Sequence, residues 1–259
     1  SLWHLDNVED MSAMFRGSNF NGDISKWRFP KAIYMNEMFQ QSNFNGDISE
    51  WEFPEVQAMG LMFASSKFNG DVSRWKFPKV AMFANMFFCS EFDGDISKWE
   101  FPSAVNMDFM FANSKFKGDI SRWQFPKVKS MKFMFSSSEF NGDISEWEFP
   151  EVENMNAMFK DSAFNGDVSK WKFPKVTNFA SMFNGSKFAG DVSSWDMSHA
   201  EMMDYMFGGC TDFGCDLTKW NIPENCGCQN IFVHTKMRLE WIPESIKKKR
   251  DDDNGRYII

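Results

Sequence analysis

Residues 44–66 read "FNGDISEWEFPEVQAMGLMFASS", and the same string returns, with substitutions, 24 residues to either side. Trp27, Trp51, Trp75, Trp99, Trp123, Trp147, Trp171 and Trp195 keep that spacing without insertion or deletion, and Trp3 and Trp220 (one residue late) extend the series. Phe20, Phe44 and their successors to Phe188 fill a second slot, and Asp23, Asp47 and theirs to Asp191 a third. Self-similarity at such a period marks a quasi-one-dimensional stack, in which each unit buries its apolar face only against its neighbours.

Two periodicities share one unit. Ile24, Trp27 and Phe29 suit a short strand with Trp and Phe inward and the charges Lys26 and Arg28 outward. After Pro30, which fits a first helical turn, Ala32, Met35, Met38 and Phe39 are spaced to wind along one helix face. Asn45-Gly46 then reads as a turn in which glycine supplies a positive φ. The expectation is an α/β solenoid of about nine 24-residue coils, each a short parallel strand plus a short helix. Regular coils are expected over residues 1–207, an irregular cysteine-containing cap over 208–246 and a charged tail over 247–259.

Composition follows from the repeat. The chain has 31 Phe, 20 Met and 11 Trp because a few core slots are filled many times over, so this richness is no sign of a cofactor box. A net charge of −8 argues against nucleic acid or an anionic membrane as the general partner. No apolar run is long enough to span a bilayer, and the first ten residues resemble neither a signal nor a transit peptide. Because Trp3 already stands inside the repeat, an upstream cap or export signal is expected.

The apolar spacing I-x-x-W-x-F is that of the leucine-rich-repeat strand, L-x-x-L-x-L. The strings "FNGDISKW" and "WDMSHAEMMDYMF" (195–207), with the trailing Met-Phe, resemble the BspA-like leucine-rich-repeat surface proteins, whose repeats also occur in mycoplasma lipoproteins, protists and some large viruses. The resemblance spans residues 3 to 232. It departs where the family's Ser-Asn after the tryptophan strand is Phe-Pro plus a charge. It implies a surface-displayed adhesion or interaction module in an extracellular, cell-surface or virion setting; fold alone does not fix function.

Charges alternate along the repeat. The slot before tryptophan runs from Lys26, Glu50 and Arg74 to Lys170, the slot after it from Arg28, Glu52 and Lys76 to Asp196, and the slot after proline from Lys31, Glu55 and Lys79 to Lys175. A fourth slot runs Lys67, Glu91, Lys115, Glu139. Sixteen neighbouring pairs are opposite in sign and two are alike, which favours ion pairing between coils and a fixed coil register over an anion-binding field of one sign. The two like pairs, in the column Arg74, Lys98, Arg122, make a candidate cationic patch for a carboxylate, sulfated glycan or acidic loop, weighed against simple drift in an exposed ladder.

Other residues carry weaker readings. Each Asp of "GDIS" is expected to accept hydrogen bonds from its own turn in preference to binding Ca²⁺. Phe109 and Phe133, in one slot with Leu61 and Tyr205, are expected to widen the core, the alternative being an exposed apolar strip. Cys210, Cys215, Cys226 and Cys228 cluster where the 24-residue rule fails, and Cys89 stands alone. Two disulfides locking a cap, plain buried thiols and a zinc site are the competing readings of the cluster.

With three scattered histidines and no phosphate loop, no catalytic constellation assembles, and no cofactor or metal is expected. The chain is read as a non-enzymatic scaffold for protein or glycan contacts; the alternative is an architectural subunit of a virion or surface layer packing against other structural proteins.

Overall fold

The computed structural model describes residues 5–248; Trp3, His4 and the tail from residue 249 onward lie outside the described residues. Residues 24 apart lie side by side. Parallel bridges join Asp10 to Tyr34, Tyr34 to Ala58 and so on to Met202, and the last joins Met202 to Gly227 at an offset of 25. The stack therefore continues past residue 207, with the coil after it carrying Trp220 and Phe232 into the same core. What covers that end is the 3₁₀ turn Leu239–Trp241 and the short helix Glu244–Lys247, through buried Ile242 and Ile246.

The helix expected after each proline does not form. Among the described residues the one α-helix is Glu244–Lys247. In the coil of residues 35–42, the N–H groups of Met35, Glu37, Phe39 and Gln41 donate to the carbonyls of Ala58, Gly60, Met62 and Ala64 in the next coil, at 2.8–2.9 Å. The N–H groups of Gln40 and Ser42 instead close tight turns onto Glu37 and Phe39. Every second amide is thus turned along the stack and is lost to an α-helix. Glu37 and Gln41 take left-handed backbone angles (φ 59° and 56°), and the pair recurs in every coil, as at Phe109 and Asn113. A left-handed residue every fourth position keeps the Met-x-x-Met-Phe side chains inward, so the spacing that reads as helical is satisfied by consecutive turns; tertiary stacking overrides local propensity.

The expected strand also moves. At Ile24–Trp27 the tryptophan N–H returns to the Ile24 carbonyl (3.0 Å) and makes a turn, while the bridges form downstream, at Tyr34 and its equivalents. The inward directions of Ile24, Trp27 and Phe29 are nevertheless as read, all three being buried.

Aromatic columns hold the stack. Phe39, Phe63, Phe87 and their successors to Phe207 stack with centroids 5.5–5.7 Å apart, and Phe44, Phe68, Phe92 and theirs to Phe188 at 6.2–6.5 Å. Trp51 donates its indole N–H to the Ile24 carbonyl one coil back (3.1 Å), and each tryptophan to Trp220 repeats the bond. A buried carbonyl and a buried indole thus satisfy each other in every coil.

Candidate interaction face

Each coil carries a rim formed by the six residues from one before the tryptophan to one after the proline. Its side chains alternate inward and outward: Trp51 and Phe53 are buried, whereas Glu50, Glu52 and Pro54 are exposed. Successive rims share one face, because Glu146, Glu148 and Pro150 of one coil and Lys170, Lys172 and Pro174 of the next line a single shallow depression of about 330 Å³.

The charge columns are only partly engaged. In the slot before tryptophan, Arg74 pairs with Glu50 (3.1 Å) and Lys170 with Glu146 (2.5 Å). In the slot after proline, Lys79 pairs with Glu55 (2.6 Å) and Lys175 with Glu151 (2.7 Å). The slot after tryptophan, which alternates as strictly, forms no ion pair among the described residues; Arg28 bonds instead to the carbonyl of its neighbour Trp27. The fourth column does not pair within itself either: Glu139 takes Lys117 (2.6 Å), two residues beyond Lys115. Among the pairs not read from the sequence are Lys129 with Glu153 (3.2 Å) and Lys132 with Asp108 (3.4 Å). Both are 24 residues apart and would have emerged from extending the sign count to the slots two and five after Lys127.

Arg74, Lys98 and Arg122 fall at the same slot of successive coils, and one of the three, Arg74, makes an ion pair among the described residues. Arg74 is held by Glu50, and Asp71, Asp95 and Asp119 have their carboxyl pKa lowered first by the hydrogen bonds of their own turns and to a lesser degree by Arg74, Lys98 and Arg122. The main cause of those lowered values is the turn itself: Asp119 accepts the backbone N–H of Ser121 at 2.9 Å, and Asp23 those of the Ser25 amide and hydroxyl. The carboxylate ladder is a row of Asx turns.

Beside that ladder the glycine has a different role from the one expected. Positive φ occurs at Gly17, Gly185 and Gly209 and not in the Asn-Gly-Asp turns. A Cβ on Gly118 would stand 2.7 Å from the ring of Phe116, and one on Gly142 2.9 Å from Phe140. Glycine is required because the core phenylalanine two residues earlier folds its ring back over it.

Phe109 and Phe133 are half-buried and stack on each other, centroids 4.7 Å apart, outside the core cluster. The cysteines divide among separate surroundings. Cys210 is buried against the Phe183 carbonyl (2.8 Å) and Ser186, and Cys215 lies 3.3 Å from an Asp191 carboxylate oxygen; burial pushes each thiol up to about 11. Cys226 and Cys228, buried in core slots, have their sulfurs 3.8 Å apart. Among the described residues no group of three His, Cys, Asp or Glu side chains is placed to hold a metal, and no helix is long and apolar enough to cross a membrane.

Residues 1–90, 79–163 and 137–241 each match one family, described as "Mycoplasma protein of unknown function, DUF285". No curated protein and no solved structure matches the chain.

Proposed function

We propose, because this chain belongs to the DUF285 family of repeat proteins, that it is a non-enzymatic scaffold displayed on a cell or virion surface, built as a leucine-rich-repeat-like solenoid of the BspA type and acting through protein or glycan contacts. The observation that carries this reading is the uniformity of the rim: each coil from Trp27 to Trp171 offers the same exposed positions on a fully buried aromatic base. A rigid face whose outward residues vary while its inward residues do not is suited to recognition. The reading is tested by measuring binding of the purified chain to immobilised matrix proteins and to a glycan array. Saturable binding that weakens when Lys170, Lys172 and Lys175 are replaced by glutamate supports it; no binding above that of an unrelated acidic protein counts against it.

A second reading, an architectural subunit, is favoured by the length of that face. It predicts that the chain copurifies with a particle or surface layer and resists salt extraction from it.

A further inference from the structure

We propose that the rim face binds a second copy of this chain, antiparallel, about a two-fold axis passing between the coils of Trp99 and Trp123. This goes beyond the adhesion reading and does not depend on it, since a monomer can bind a glycan and a dimer can fail to.

The argument begins with the charges that the stack leaves unused. The slot after tryptophan alternates Arg28, Glu52, Lys76, Glu100 and again Glu148, Lys172, yet none of these makes an ion pair among the described residues. An alternation that repeats every two coils, about 10 Å, has a field that dies away within the length of a side chain, so it is felt only in contact and only by a surface of the same period. A second copy has that period by construction.

The order of the rims then selects one arrangement. Written as hexapeptides they are KWRFPK, EWEFPE, RWKFPK, KWEFPS, RWQFPK, EWEFPE, KWKFPK and SWDMSH, from Trp27 to Trp195. A two-fold axis lying in the face reverses the order of the coils and keeps each slot opposite its own kind. With the axis between the fourth and fifth rims, EWEFPE (50–55) faces KWKFPK (170–175), and RWKFPK (74–79) faces EWEFPE (146–151). All three slots match in sign in each case: the slot after tryptophan through the charges the stack leaves unpaired, Glu52 with Lys172 and Lys76 with Glu148, and the outer two slots through charges that also pair within the chain; Arg28 meets Asp196 at the ends. One kind of like-sign facing remains, Lys98 with Arg122 of the second copy, and it occurs twice, on either side of the axis beside Glu100, where the alternation lapses. Moving the axis onto the fourth rim would set EWEFPE against EWEFPE. Moving it between the third and fourth would leave two rims uncovered.

Through the central rims the successive tryptophan rings Trp75, Trp99, Trp123 and Trp147 differ in plane by 6° or less, so neighbouring rims turn little against one another there. Eight rims about 4.8 Å apart, each at most about 20 Å wide, cover up to about 750 Å² per copy, near the ~800 Å² that a standard interface buries on each partner.

Sedimentation and light scattering at 50 and 500 mM NaCl test the proposal on the whole chain of 30.2 kDa. The expected result is a concentration-dependent doubling of mass at low salt, weakened about tenfold or more at high salt. The variant E50K/E52K/E55K should lose the dimer, and so should K170E/K172E/K175E. Combining the two should restore it, because the reversed rims face each other across the axis while their neighbours within each chain stay mismatched. If a lysine variant does not fold, as judged by circular dichroism, E50Q/E52Q/E55Q replaces it and should weaken the dimer without abolishing it. A chain that stays monomeric at low salt overturns the proposal. So does a dimer indifferent to salt, or one that the combined reversal does not restore.

Discussion

Gly118 and Asp119 stand side by side in the same turn and are fixed by different forces. The glycine is held by the Phe116 ring, 2.7 Å from where a Cβ would be, and that ring is locked in a column between Phe92 and Phe140. Gly118→Ala should therefore cost about 1–3 kcal/mol by overpacking, read as a lower midpoint in urea. The aspartate is held by its turn, whose amide lowers the carboxyl's pKa below the ordinary 3.8. A folded value below the unfolded one contributes stability that is present above pH 4 and is lost as pH falls through the folded value. Asn keeps the accepting oxygen without the charge, so D95N/D119N/D143N should unfold less steeply than the parent between about pH 4 and 2, as followed by acid titration of the intrinsic fluorescence. At this scale the sequence told half the truth. The Asx turn could be read from Asp-x-Ser, but the reason for glycine could not, because it lies in the direction of a ring two residues away.

The coil is the element, and its inward residues were legible while its backbone was not. Ile24, Trp27, Phe29, Met35, Met38 and Phe39 are all buried, as their spacing requires. The same spacing was read as strand and helix because both readings keep a backbone amide within its own segment or sheet. Here every second amide is turned along the stack, and the left-handed residues that turn it carry ordinary side chains, such as Glu37 and Phe133, with no signature in a sequence. What closes the coil against its neighbour is the indole bond. Trp123→Phe preserves most of the ring but removes the indole donor 3.0 Å from the Ile96 carbonyl, which keeps the Trp99 amide as its partner, and should cost about 0.5–1.5 kcal/mol, the net worth of one hydrogen bond. Denaturant unfolding with an unchanged slope would check it.

At the scale of the whole molecule the unit of change is 24 residues. Removing residues 104–127 excises one coil in phase, so that each remaining rim, ring column and bridge finds an equivalent neighbour. The shortened chain should fold cooperatively with a proportionately smaller unfolding slope. Removing 104–115 breaks every column at once and should abolish folding, as amide dispersion in an NMR spectrum would show. The candidate face was legible as a set of alternating columns, and four of its pairs form as read. Which columns would stay unpaired was not legible, because that depends on how far each side chain leans along the stack.

The indoles of Trp75, Trp99, Trp123 and Trp147 lie nearly parallel, 6.2–6.5 Å between centres and within 6° in plane. Chromophores so close and so aligned do not absorb independently. Their transitions mix, and excitation hops from ring to ring before it is emitted. The intact chain should thus show a split circular dichroism couplet in the indole bands and a fluorescence anisotropy well below that of a lone immobile tryptophan. Both signals belong to the column and not to any residue, so a single break in the stack would be visible as a change of colour and polarisation.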